Sequence, residues 1–137
     1  MEQQVQNEIE KVNVIMGCVI AAPQEWQLYR HQLCGSYSFL GEELALYEHE
    51  YELAEAELKD FYASRVTQEL RDADKKLNRV DAEVRASIEY TQKRNVMLIA
   101  SYGYKLLKNK VQAIEKKLDS IASALRTAER EQLQSKH

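Results

Sequence analysis

Turn-forming residues are scarce in this chain: four glycines and one proline stand among 137 residues. Strands and reverse turns need more punctuation than that, so the composition points to long helices. Cysteine is equally sparse. Cys18 and Cys34 cannot make a disulfide framework, and two free thiols in a reducing compartment is the reading they favour. Long apolar runs are missing too. The run Val96–Ala100 is far too short to span a bilayer, so no membrane partner is expected. VIMGCVIAA at Val14–Ala22 has the outline of an export signal, but the residues before it, MEQQVQNEIEK, are acidic where such a signal is basic. The expected location is therefore cytoplasmic.

Catalytic fingerprints are also lacking. The sequence holds no glycine-rich phosphate loop, no nucleophile elbow, no H-E-x-x-H and no paired Glu-x-x-His. His31 and Cys34 with Cys18 could offer three soft ligands to zinc, but without a paired C-x-x-C the spacing is unspecific. Glu48, His49 and Glu50 point to different azimuths of a helix and cannot converge on one ion. Neither a metal, nor a cofactor, nor an enzyme activity is expected.

The last absence is of one charge sign. From Tyr90 to Ile114 there is no Asp or Glu, although the whole chain has a formal charge of −3. Residues 1–60 carry three basic and twelve acidic side chains, net −9; residues 61–137 carry sixteen and ten, net +6. Such asymmetry between halves suggests self-pairing or an anionic partner for the second half.

What is present is helical periodicity. A first helix from Glu2 to about Ala22 would place Val5, Ile9, Val12 and Met16 on one face. Pro23 suits the first turn of a short second helix carrying Trp26, Leu28 and Leu33. CGSYSFLG, Cys34–Gly41, has the densest Gly/Ser punctuation and predicts the main break. It divides the chain into short N-terminal helices, 1–38, and a long-helix core, 39–137. Beyond it, Leu40, Leu44, Tyr47, Tyr51, Ala54, Leu58 and Phe61 form a 4-3 heptad seam with acidic flanks. Around Ala63–Asp81 the seam blurs, and Asp81 could cap a last helix running to about Glu131, with Gly103 a candidate kink. That helix carries a second seam: Tyr104, Leu107, Val111, Ile114, Leu118, Ile121, Leu125 and Ala128. The prediction is an all-α, bundle or coiled-coil fold that forms a homo-oligomer through the C-terminal seam.

The acid-free stretch holds Lys93, Arg94, Lys105, Lys108 and Lys110 near Tyr90, Tyr102 and Tyr104. Polyanions reward cations that displace condensed counterions, and single strands also reward aromatic faces for stacking. A single-stranded nucleic-acid surface is one reading. The other is structural: the lysines flank a seam and neutralise the acidic helix Glu42–Glu57 across a bundle.

KDFYASR, Lys59–Arg65, followed by a polar interruption and KLNRVDAEVRASIE, Lys76–Glu89, resembles a segment of the UvsY-like phage recombination mediators. The rhythm of the C-terminal helix is similar to theirs as well, so the resemblance covers roughly Leu44 to Arg130. It implies a helical homo-oligomer that binds single-stranded DNA, loosens single-strand-binding protein and helps to seat a RecA-like recombinase, in the cytoplasm of a bacterial host if phage-encoded. By match it implies Lys59, Phe61, Tyr62 and Arg65 as DNA contacts. The basic cluster that this family places before the aromatic pair is thin here, where Glu55 and Glu57 are acidic. Charge alone adds Lys75, Lys76, Arg79, Arg85, Lys93, Arg94, Lys105 and Lys108 to the candidate surface.

Overall fold

The computed structural model describes residues 2–18, 23–72 and 75–135. They form four helices: α1, Gln3–Met16; α2, Pro23–Asp72; α3, Leu77–Arg85; and α4, Ile88–Ser135. No strand occurs among the described residues. The predicted all-α class is therefore observed, and none of these helices is long and apolar enough to cross a membrane. Residues 19–22 of the first predicted helix lie outside the described residues.

The predicted break at Cys34–Gly41 is not there. α2 runs through it as one helix of 50 residues, so Pro23 opens a long helix rather than a short one, and the chain does not divide at residue 38. Leu33 and Leu40 explain the continuity, since both are fully buried and seven residues apart, two helical turns on one face. Ser36, between them, is buried and donates a hydrogen bond of 2.6 Å to Glu8 of α1. Packing overrides the weak helix propensity of Gly35 and Gly41.

The chain divides instead into two compact units, Met1–Leu44 with Leu106–His137, and Ala45–Lys105. In the first, α1, the start of α2 and the end of α4 share one core. Val5, Val12 and Ile15 of α1, Leu33 and Leu40 of α2, and Leu107, Val111, Ile114, Ile121 and Leu125 of α4 are its buried apolar side chains. Ile9 and Met16, expected on the inner face of α1, are only half-buried. Polar ties at the edge join the same three helices: the Tyr37 hydroxyl donates to Glu115, and Lys110 donates to Asn13 at 2.6 Å.

This core changes the meaning of the C-terminal seam. Leu107, Val111, Ile114, Ile121 and Leu125, expected to meet copies of the chain, are buried within a single chain, while Tyr104 and Leu118 are half-buried. The physical reason is that α1 and the start of α2 offer apolar faces of their own. A seam covered from within is not free to bury a partner.

In the second unit α2 and α4 run antiparallel, because Tyr47 and Tyr51, early in this part of α2, meet Gly103 and Tyr104, whereas Tyr62 and Arg65, later in it, meet Tyr90 and Glu89 at the start of α4. The Tyr47 ring lies 3.6 Å from where a Cβ at Gly103 would sit, Tyr51 stacks on Tyr104 at 5.9 Å, and Tyr62 meets Tyr90 edge-on at 6.2 Å. α4 continues through Gly103 and on to Ser135, past the predicted end at Glu131. Its start is later than predicted. Asp81 sits inside α3, not at a cap, and the chain turns at Ala86 and Ser87. Ser87 is the true N-cap: its Oγ accepts the backbone N–H of Tyr90 at 3.2 Å, three residues on, and Glu89 lies in the first turn where the helix dipole favours an acid.

Candidate nucleic-acid interface

Where the end of α2 meets α3 and the start of α4, the heptad face of α2 ends in Phe61 and Tyr62, both half-buried. α3 supplies Asp81 and Arg85, and α4 supplies Tyr90 and Lys93. The Tyr62 hydroxyl donates to Asp81, and the Arg85 Nε donates to the same carboxylate at 2.9 Å. The Arg85 guanidinium lies 4.8 Å from the Tyr62 ring centre and 5.9 Å from that of Tyr90, whose hydroxyl it also reaches at 3.2 Å. Arg65 and Lys93 each stand 5.6 Å from the centre of Phe61. Cations at these distances are attracted by the negative faces of the rings.

Charge neutralisation is local here. Arg65 grips both oxygens of Glu89 at 3.0 and 3.1 Å; Lys75 pairs with Glu83 at 2.8 Å and Glu69 at 3.7 Å; Arg79 pairs with Glu83 at 3.2 Å. Lys59 turns back to Glu55 at 2.8 Å on its own helix. The consequences for titration follow. Asp81 is held below the ordinary carboxylate range by the Tyr62 hydrogen bond first and by Arg85 next, and Glu83 is lowered by Lys75 and then Arg79. Glu55 is lowered by Lys59 and by the Tyr51 hydroxyl. The Tyr62 hydroxyl is correspondingly raised by donating to Asp81.

The structure thus gathers Phe61, Tyr62, Arg65, Arg85 and Lys93 into one cluster, with Tyr90, whose ring sequence reading had offered to a base, buried inside it. It leaves Lys59 outside that cluster, facing Glu55. Lys76 is exposed and occupies the N-cap position of α3. Tyr104, stacked on Tyr51, is no free platform either.

A different surface emerges farther along α4. Tyr102 is 68% exposed, and of the eight tyrosines it alone is exposed. Arg94, Leu98, Tyr102 and Lys105 follow at intervals of four, four and three, so they share one helix face. Arg94, Lys105 and Lys108 are all exposed. Arg94 and Lys105 make no ion pair among the described residues. The predicted neutralisation of Glu42–Glu57 by the lysines of α4 is not what orders Lys110, which reaches Asn13 instead. Sequence reading had named Arg94 and Lys105 but passed over Leu98. The signal was present, because Leu98 falls off the inward seam while sharing the face of the two cations.

Among the described residues no group of three His, Cys, Asp or Glu side chains could hold a metal ion. Among the described residues, fold and surface together define an all-α arrangement of four helices with an acid-free, tyrosine-bearing cationic face on α4. Compared with known proteins, the chain matches no protein-family model, no curated protein and no solved structure.

Proposed function

We propose that this chain is a non-catalytic single-stranded DNA-binding protein of the recombination-mediator type, acting beside a RecA-like recombinase and single-strand-binding protein. The observation that carries the reading is the α4 face of Arg94, Leu98, Tyr102 and Lys105: an open aromatic ring between two cations, on a helix with no acid from Tyr90 to Ile114. A phosphate that approaches Arg94 or Lys105 displaces only counterions, and a base can stack on Tyr102. At Arg65, Arg79 or Arg85 it must first displace a protein carboxylate, so those cations contribute less. Sequence-independent binding is expected, since nothing on this face is arranged to read base edges.

A second reading has its own support. The ion pairs of Lys59, Arg65, Lys75, Arg79 and Arg85 are what a structural helical adaptor would use its charges for. Fluorescence anisotropy with a labelled oligothymidine separates the two. The mediator reading expects binding that weakens steeply with salt, and Tyr102→Ala should remove about 1–3 kcal/mol, the usual worth of one stacked base. No binding at about 50 mM salt, where phosphate contacts are strong, leaves the adaptor reading standing. Homo-oligomer formation belongs to the mediator reading as well, and with the C-terminal seam buried inside the chain it must use another surface.

A further inference from the structure

Large apolar side chains left in water on a soluble chain mark a contact surface when they cluster and not when they scatter. Thirteen are exposed among the described residues, and six of them fall within the short span Ile88–Leu106 of α4. On α2 a second exposed row stands out in the unit Ala45–Lys105. Leu46 and Leu53, 58% and 51% exposed, are seven residues apart on one face. Glu50, Glu57 and Asp60 share that face by their spacing of four, four and seven from those leucines. These three acids are exposed and make no ion pair among the described residues.

The two rows are complementary. One carries Arg94, Leu98, Tyr102 and Lys105; the other carries Leu46, Glu50, Leu53, Glu57 and Asp60. At 1.5 Å rise per residue, Arg94 and Lys105 are about 16 Å apart along their helix and Glu50 and Asp60 about 15 Å along theirs. Two cations can therefore meet two acids while leucines and the tyrosine pack between them. A lipid surface or a nucleic acid would satisfy the α4 row and leave the leucines of α2 in water. Another copy of the chain satisfies both.

We propose that a second copy of this chain docks the acidic, leucine-bearing face of its α2 onto the Arg94–Lys105 face of α4. The carboxylates of the docked helix stand where phosphates would stand. Self-association and single-strand binding are then mutually exclusive at that face, and each ligand must weaken the other by the same factor. The contact shares its face with the proposed DNA site but not its ligand, so the two readings can fail separately.

Charge exchange tests it. Full-length protein is followed by sedimentation equilibrium at low salt, with far-ultraviolet circular dichroism to confirm that each variant keeps its helices. R94E/K105E alone and E50K/D60K alone should each weaken association by roughly tenfold or more, since like charges then face each other. All four substitutions in one chain should restore association while leaving oligonucleotide binding lost. Adding oligothymidine to the unsubstituted protein should dissociate the complex. The proposal is overturned by a protein that stays monomeric, by a fourfold variant that does not recover, or by an oligonucleotide that binds the assembly and leaves it intact or enlarges it. Monomers that bind anionic vesicles through Tyr102 would overturn it too, in favour of a lipid surface. Recovery of the fourfold variant in a protein that ignores oligonucleotide keeps the contact and ends the DNA reading.

Discussion

Within Met1–Leu44 and Leu106–His137, ten apolar side chains are buried and one ion pair, Lys11 with Glu8, is found among the described residues. Among the described residues of Ala45–Lys105 the proportions reverse: five apolar side chains are buried, and six ion pairs accompany four cation–aromatic contacts. The two kinds of contact are not equivalent. A buried aliphatic side chain contributes about 1.5–3 kcal/mol, whereas an exposed ion pair contributes about 0–1 kcal/mol and fades with salt. The first unit is therefore held mainly by its apolar core, with a few polar ties such as Ser36 to Glu8 and Tyr37 to Glu115 at its edge. The second is held by charges and rings near the surface, and it responds to pH and salt. The responsive unit is also the one that carries the exposed Arg94, Tyr102 and Lys105, on which the proposed function rests.

The sharpest way to break this comparison is to cut into each core. Ile114→Ala removes a fully buried side chain from the first unit and should cost about 2–5 kcal/mol in denaturant melts, the range for such truncations. Leu58→Ala, at a position 9% exposed in the second unit, should fall at the low end of that range. Equal losses would mean that the second core is packed as closely as the first.

Acid should separate the units next. Asp81, Glu83 and Glu55 have folded pKa values below their ordinary ones, so the stability they contribute is present above the unfolded value near 4 and is lost as pH falls through the folded value. Amide exchange measured on lowering the pH should show the second unit losing protection first. Asp81→Asn should flatten that dependence, and a variant with an unchanged pH profile would show that the Tyr62–Asp81–Arg85 cluster contributes nothing.

The smallest expected effect lies in α2 of the first unit. A Cβ added at Gly35 or Gly41 meets nothing within 4 Å. Gly35→Ala and Gly41→Ala should therefore each stabilise by about 0.5–1 kcal/mol, the helix-interior cost of glycine, seen as a raised melting temperature. A loss at either position would mean that the helix needs its glycine.

Much of this fold was legible beforehand, and the misses share a cause. Scarce glycine and proline announced long helices, and the 4-3 spacing of Leu107, Val111, Ile114, Ile121 and Leu125 announced a buried stripe that the structure contains. The stripe could not say what covers it. Local signals misled where long-range contacts outweighed them: Cys34–Gly41 has the composition of a loop, yet Leu33 and Leu40 are fully buried and Ser36 is tied to Glu8 of α1. Asp81 looked like a cap because its role depends on Tyr62, nineteen residues away. The candidate surface was half legible. Arg94 and Lys105 were visible as charge, but which of Tyr90, Tyr102 and Tyr104 faces water was not.

Periodicity and composition, both local, were enough to set the helical class, the inward stripes and the separation of charge between the halves, because hydrogen bonds and side-chain spacing within a helix involve residues only three or four apart. Partner choice was decided by the tertiary structure. Whether a stripe meets α1, another stretch of α2 or a second chain depends on which apolar face arrives at the right distance and angle, and that depends on the whole path of the chain.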